Sequence, residues 1–343
     1  MRAFVYEPLP GRVCFAPGGA ADRLAAEVAA LGLRRIMVIA GGAETGLADD
    51  VVRGIVGLVA ARFDEVRPHV PADVADAARR LAAESSVDGL VTIGGGSTTG
   101  TGKIVALTTG LPLICVPTTY AGSEVTPVWG ITTAGRKETG RDPRVLPRSV
   151  VYDADLTAGL PRSITVASAL NAMAHCVEAY WAPGANPVTS LAATEGIRVL
   201  AVGLRGPGAV DRERLLYGSY LAGAAFAVAG SALHHTICHV LGGAFDLPHA
   251  ETHAVLLPSV LTFNAEAAPA AEAQIAGALA APAAVPALAA LYRDIGAPRG
   301  LRSLGLTHEQ LDRAVDLVAE RLPIANPRPV GRQDIAEILE SAY

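Results

Sequence analysis

Gly89-Leu90-Val91-Thr92-Ile93-Gly94-Gly95-Gly96-Ser97 decides how the first half of this chain folds. A short apolar run that ends in a turn signal reads as a strand buried on both faces, and such strands belong to parallel sheets. The glycines then open a helix. Lacking Cβ atoms, they let a ligand approach backbone N–H groups at the positive helix end, an arrangement suited to a pyrophosphate. The spacing is not the GxGxxG fingerprint, and Lys103 falls in the wrong place for a P-loop. Taken alone, the turn is equally compatible with a tight strand-to-helix connection.

The flanking sequence repeats the alternation. Ile36-Met37-Val38-Ile39-Ala40 ends at Gly41-Gly42, and Leu113-Ile114-Cys115-Val116 ends at Pro117, so both read as further buried strands. Leu24, Val28 and Leu31 mark a helix face, as do Val51, Ile55, Leu58 and Val59, and then Val74, Ala78 and Leu81. Strands alternating with helices predict an open, Rossmann-like parallel sheet with ligands at the carboxyl ends of its strands. One such end carries the hydroxyl-rich loop Pro117-Thr118-Thr119-Tyr120-Ala121-Gly122-Ser123-Glu124. Two polar loops at neighbouring strand ends favour a dinucleotide over a bare phosphate.

From about Ser163 the texture changes to long Ala- and Leu-rich helical stretches. Thr307 to Gln310 has capping-box spacing before a Leu311, Val315, Leu317, Val318 face, and Pro269, Pro282 and Pro286 read as helix ends and turns. The expected organisation is a nucleotide-binding α/β domain over residues 1–155 and an all-helical domain over 156–343, the latter entered through a strand around Ser149-Val150-Val151-Tyr152-Asp153.

The helical half carries the densest chemistry. Five of the eight histidines fall within twenty residues: His234, His235, His239, His249 and His253. A sixth, His175, follows Asn171 on a separate apolar segment. A lone His on an apolar helix is usually a hydrogen-bonded core residue, the reading given to His69 and His308. Six clustered imidazoles are harder to explain that way, because imidazole is the side chain that holds metals or moves protons near neutral pH. On helices, Asn171/His175 and His235/His239 are i, i+4 pairs, each stacked on one face. His234 lies about 100° around the helix from His235 and is expected to face elsewhere.

Composition sets the frame. A chain of 343 residues is too long for one small core, and 51% apolar with 18% charged residues describes a well-packed α/β or α-rich protein. A net charge of -5 offers no basic footprint for nucleic acid. No stretch reaches the roughly 18 uninterrupted apolar residues of a membrane span, and Met1-Arg2-Ala3-Phe4-Val5-Tyr6-Glu7 lacks the apolar core of a signal peptide. Cys14, Cys115, Cys176 and Cys238 show no CxxC spacing, so neither a disulfide framework nor a thiolate metal site is expected and a reducing cytoplasm fits.

Four segments taken in order resemble the signatures of the iron-containing (group III) alcohol dehydrogenase family: Gly94-Gly95-Gly96-Ser97, Pro117 through Glu124, Leu170-Asn171-Ala172-Met173-Ala174-His175-Cys176-Val177-Glu178-Ala179, and His235 through His249. Within the family the chain is most similar to the branch that reduces maleylacetate. That likeness rests on Thr99-Gly100, Thr139-Gly140-Arg141-Asp142-Pro143, Leu170-Asn171-Ala172-Met173-Ala174-His175, Asp246-Leu247-Pro248-His249-Ala250-Glu251-Thr252-His253 and Asn326-Pro327-Arg328-Pro329-Val330.

The resemblance implies an active site between the two domains, a homodimer, and hydride transfer from NADH or NADPH. Gly94, Gly95, Gly96 and Ser97 would then hold the pyrophosphate, Thr118, Thr119 and Ser123 would line the adenine and ribose side, and Lys137 is a weaker candidate. Gly41 and Gly42 end the first strand with no acid to grip a ribose 2′-hydroxyl, so neither cofactor is selected. The family's metal is held by one Asp and three His, which correspond here to Asn171, His175, His235 and His249; a further family histidine near the nicotinamide corresponds to His239. Asn171 is an amide where the metal-dependent enzymes have a carboxylate. Losing that charge weakens any site for iron or zinc, although three imidazoles can still hold one. His253 offers a donor for a carboxylate of a small dicarboxylate substrate. The expected reaction is reduction of the conjugated C=C bond of maleylacetate to give 3-oxoadipate in the breakdown of aromatic compounds. The alternatives are a metal-dependent alcohol dehydrogenase or aldehyde reductase, a lyase resembling dehydroquinate synthase, and a nucleotide-binding scaffold without catalysis.

Overall fold

The computed structural model of the chain describes residues 4–133, 136–206 and 210–343, so Met1-Arg2-Ala3 of the leading segment lies outside the described residues. The chain forms two compact units, one from Leu9 to Leu160 and one from Pro161 to Tyr343 that also includes the segment ending at Pro8.

Among the described residues the first unit is built on eight strands: β1 (Arg12–Phe15), β2 (Ile36–Ile39), β3 (Val59–Phe63), β4 (Gly89–Gly94), β5 (Leu113–Pro117), β6 (Val128–Thr133), β7 (Arg136–Arg141) and β8 (Ser149–Tyr152). Six of them make one all-parallel sheet in the order β1-β8-β5-β4-β2-β3. Every residue of β2, β4, β5 and β8 is buried, as expected of strands covered on both faces. Four helices cover the sheet: α1 (Ala20–Ala30), α2 (Thr45–Val52), α3 (Ala72–Glu84) and α4 (Gly96–Thr109). Leu24 and Val28 of α1 pack with Ile36, Val38, Val91 and Ile114 in one core. After β2 the chain moves outward to β3, whereas after β4 it moves the other way to β5. The order therefore reverses between β2 and β4, and a crevice at that switch point is where ligands bind in open α/β sheets.

Two features differ from the sequence expectation. Val59, read with the second helix face, instead opens β3, because the helix stops at Val52 and a 3₁₀ stretch over Arg53–Leu58 delivers the chain to the sheet. The hairpin β6–β7 was not expected; its polar composition gives no buried-strand signal. The buried side chain of Lys103 on α4 fastens the chain leading into it. Its ammonium donates to the carbonyls of Ser123 (2.6 Å), Thr126 (2.8 Å) and Val128 (2.8 Å), with the Thr126 hydroxyl also within 3.0 Å, so all three of its donors are used. Burial lowers its pKa to about 8, against the opposing pull of Cys115 and Glu124.

The second unit is helical: α5 (Arg162–Glu178), α6 (Pro187–Leu204), α7 (Arg212–Ala229), α8 (Leu233–Phe245), α9 (His249–Ala265), α10 (Pro269–Ala278), α11 (Ala284–Ile295), α12 (Leu311–Ala319) and α13 (Arg332–Ser341). Pro269 starts α10 and Pro286 lies in the first turn of α11, positions where a missing N–H costs nothing. Thr307 and Gln310 form the expected capping box, with the Thr307 N–H donating to Gln310 Oε1 at 2.9 Å. Nearly all of α5 is buried, so polar side chains on it need partners inside the unit. Among the described residues no single helix is long and apolar enough to cross a membrane.

Candidate active site

Three helices of the second unit bring the polar residues together. Asn171, His175 and Glu178 occupy one face of α5 at i, i+4 and i+7; α8 supplies His234, His235, Cys238 and His239; α9 supplies His249 and His253. The rings form a graded column. His239 and His249 are half-buried, with near-parallel rings 6.2 Å apart. His253 lies deeper, 4.5 Å from the His249 ring and 4.8 Å from the His235 ring. His235 stacks on His175 at 4.9 Å, and Phe226 of α7 sits 4.7 Å from both. Asn171, His235 and His253 are 2%, 2% and 0% exposed, so what they bind is shielded from water.

Glu178 anchors the deep end and was not singled out as a site residue from sequence. Its carboxylate accepts the His234 backbone N–H at 2.7 Å through Oε1 and meets His235 Nδ1 through Oε2. The start of α8 has no side-chain cap of its own, and this carboxylate at the positive helix end takes that place. Burial alone would raise the Glu178 pKa, but the charge and hydrogen bond of His235 outweigh it and hold the carboxyl below its usual range. Burial and neighbouring histidines hold His175 and His253 well below the ordinary imidazole value. The sequence signal for Glu178 was its 4+3 spacing with Asn171 and His175, which a histidine count overlooks.

Among the described residues, five buried polar atoms of this cluster lack a protein partner: Asn171 Oδ1, His175 Nδ1, His234 Nδ1, His235 Nε2 and His253 Nε2. An unpaired buried polar atom costs on the order of 1–3 kcal/mol, so such a group marks a place where a polar ligand binds. His234 corrects the expectation that it faces elsewhere. It is buried, and its Nε2 lies 3.0 Å from His253 Nδ1 and 3.6 Å from Cys238 Sγ. It therefore supports the column from behind. His69 is half-buried and His308 exposed, so neither is the core residue expected.

The donor set does not fit the four-ligand metal site that the resemblance implied. Among the described residues, the one His/Cys/Asp/Glu group whose ligand atoms all lie within 4.8 Å of one another is His234, Cys238 and His253, not His175, His235 and His249. In that group two nitrogens already face each other. The remaining implied ligand, Asn171, is neutral. The nearby carboxylate, Glu178, is occupied by His235 and the start of α8.

The first unit carries the other expected cluster. The registers align Ile39 of β2 with Thr92 of β4, and Gly94 of β4 with Pro117 of β5, so the loops after these strands lie side by side. Gly94 has φ +153°, and a Cβ there would meet Thr98 Oγ1 at 2.5 Å; a Cβ on Gly95 would meet Thr119 Cγ2 at 3.0 Å. Those two positions must stay bare for the loop to close and for a pyrophosphate to reach the N–H groups of α4. Thr118 is buried, its N–H donating to the Gly94 carbonyl at 3.1 Å. Ser123 is committed to Lys103 through its carbonyl, and Lys137 lies on β7 opposite Thr132. Gly41 and Gly42 follow β2, and the structure adds an acid there: the Glu44 carboxylate folds back so that a Cβ on Gly41 would lie 2.7 Å from its Oε2. The sequence stretch Ala40-Gly41-Gly42 had suggested none, because Glu44 returns through a 3₁₀ turn.

Comparison with known proteins places these features among relatives. Residues 10–154 match the family model described as iron-containing alcohol dehydrogenase, and residues 165–343 match that of the Fe-containing alcohol dehydrogenase family, C-terminal. The maleylacetate reductase of Delftia acidovorans is 44% identical, with 99% of this chain and 97% of the relative covered. The crystal structure of maleylacetate reductase from Agrobacterium tumefaciens superposes with a TM-score of 0.92 at 42% identity, covering 100% of this chain and 99% of that one. The iron-containing alcohol dehydrogenase from Corynebacterium glutamicum superposes with a TM-score of 0.95 at 46% identity, covering 100% and 97%.

Proposed function

Because this chain belongs to the iron-containing alcohol dehydrogenase family and is an oxidoreductase, we propose that it is a maleylacetate reductase, reducing the conjugated C=C bond of that dicarboxylate with NADH or NADPH to give 3-oxoadipate. The observation that carries the substrate is the full-length 44% identity to maleylacetate reductases. The unpartnered polar atoms of the histidine column support it. A bound nicotinamide would supply hydride to the carbon β to the ketone, so the residues of the site must stabilise negative charge collecting on the ketone oxygen. His235 and His253 present buried Nε2 atoms to that oxygen, in surroundings where a preorganised hydrogen bond counts for more than in water. His239, half-buried at the open end, gives the α-carbon its proton and reloads from solvent. In the other unit, Gly94 through Ser97 and Thr118 hold the dinucleotide.

The test is an assay of NADH oxidation against maleylacetate, a monocarboxylate enone and simple aldehydes. A buried second carboxylate needs built partners, so kcat/KM for maleylacetate should exceed that for the monocarboxylate by at least about 10²-fold. Faster turnover of an aldehyde would favour the alcohol dehydrogenase reading. The donor geometry also predicts a result with chelator. Most activity should survive EDTA, and Asn171→Asp should strengthen zinc binding by restoring an anionic ligand. Complete loss in EDTA, reversed by zinc or ferrous iron, would contradict this.

Glu44 supports a preference for NADH, since an acid at the end of β2 accepts from a ribose 2′-hydroxyl and repels a 2′-phosphate. Glu44→Gln should raise kcat/KM for NADPH by about tenfold, equivalent to about 1.4 kcal/mol, with NADH changing less. An unchanged cofactor ratio would remove Glu44 from that role.

A further inference from the structure

We propose that His234, Cys238 and His253 form a three-coordinate site for a soft monovalent cation, copper(I), held by His234 Nε2, His253 Nδ1 and Cys238 Sγ. The site shares no residue with the ligand set that the family resemblance implied. His234 and Cys238 are an i, i+4 pair on one face of α8, a spacing that lets one helix give two ligands to one ion. His253 reaches across from α9. The three ligand atoms all lie within 4.8 Å of one another, with His234 Nε2 3.0 Å from His253 Nδ1 and 3.6 Å from Cys238 Sγ. Bond lengths of the size found at zinc, about 2.0–2.1 Å to nitrogen and about 2.3 Å to sulfur, put these two edges at about 3.3–3.6 Å and about 3.5–3.8 Å for angles of about 110–120°. The nitrogen–sulfur edge is already in place, and the nitrogen–nitrogen edge has a few tenths of an ångström to open.

Simpler roles leave part of the trio unexplained. A buried cysteine usually serves as a small apolar side chain, and two neighbouring histidines satisfy each other with one hydrogen bond. Here the thiol sits on the same nitrogen that faces the second ring, so three donors converge where a hydrogen bond needs two groups. The far nitrogens, His234 Nδ1 and His253 Nε2, are buried without a protein partner. Each can carry its ring's hydrogen, which leaves both inward lone pairs for an ion.

Charge selects that ion. Two neutral imidazoles and one thiolate bring a single negative charge, so copper(I) completes a neutral complex, one proton leaving the thiol as the ion enters. His234, Cys238 and His253 are 1%, 1% and 0% exposed, and Cys238 belongs to the apolar cluster of Leu233, Ile237, Leu241 and Leu256. A divalent ion there would leave a buried positive charge uncompensated, since Glu178 is taken up by His235 and the start of α8. Thiolate is also the donor that favours copper(I) over hard ions.

Anaerobic titration of the full-length protein with copper(I), in competition with the coloured chelator bicinchoninate, tests the site. It needs neither substrate nor nicotinamide, so its outcome is independent of the maleylacetate reading. The parent should take one equivalent from the chelator. Cys238→Ser and His234→Gln should each weaken that uptake by at least about 10²-fold, the upper end for groups that merely orient a metal ligand. Cys176→Ser, which alters a buried thiol facing Gly196 on α6, should titrate like the parent. X-ray absorption at the copper edge of the loaded parent should show one sulfur and two nitrogen donors. No uptake by the parent, parental uptake by Cys238→Ser, or a copper shell without sulfur would each overturn the proposal, and displacement of the copper(I) by an equal concentration of zinc would overturn the charge argument with it. If the variants do not fold, the absorption spectrum of the loaded parent decides alone.

Discussion

Replacing His235 by glutamine should lower kcat by about 10³-fold while cofactor affinity stays within about twofold. His235 Nε2 is buried and unpartnered, and its other nitrogen is held by Glu178, so the ring is aimed before substrate arrives. Removing one preorganised donor from a developing oxyanion costs about 10² to 10³ in kcat, and the upper end applies where water cannot enter to replace it. Glutamine is the right substitution because it can still donate to Glu178. Alanine would strand a buried carboxylate, at about 3–5 kcal/mol, and confuse lost catalysis with lost stability. The glycine turn proposed to hold the cofactor belongs to the other compact unit, so binding of NADH measured by fluorescence is the internal control. A His235→Gln enzyme within about tenfold of the parent would remove this residue from the oxyanion site.

His239→Ala should lower kcat by about 300-fold through loss of the proton donor, a size typical of general acid catalysis. Unlike His235 it is half-buried, with its ring 6.2 Å from that of His249. Exogenous imidazole should therefore reach the space left behind and restore part of the rate in a concentration-dependent way. A variant with parental turnover would assign the proton to another group. Loss without any rescue would point to a packing role, which thermal denaturation of the same variant would reveal.

How much could be read in advance depended on how local each signal was. β4 and its glycine turn were legible because a strand buried on both faces writes a continuous apolar run, and three successive glycines have few other uses. β3 was not. Its residues Val59–Phe63 alternate in burial at the edge of the sheet, and Val59 happens to extend the apolar spacing of the preceding helix. The hairpin β6–β7 was hidden for a different reason: β6 is only half-buried and β7 is Arg136-Lys137-Glu138-Thr139-Gly140-Arg141, so neither writes an apolar run, and the lysine that fastens the chain leading into it looked like a misplaced phosphate ligand and is in fact spent on carbonyls. The histidine column was visible as composition, yet its order was not. A 100° step around α8 suggested that His234 pointed away, but a third helix, α9, packs against that side and turns His253 toward it. Glu178 was missed because it acts on His235, fifty-seven positions on, and Glu44 because only the 3₁₀ turn brings its carboxylate back over Gly41, three residues before it.

Turnover of maleylacetate with NADH deuterated at its transferable position, followed by NMR of the product, separates reduction of the double bond from reduction of the ketone. The site described here predicts 3-oxoadipate with its ketone intact and deuterium on the carbon β to it, in EDTA as in buffer alone. Deuterium on a newly formed carbinol carbon, with the double bond retained, would contradict the assignment.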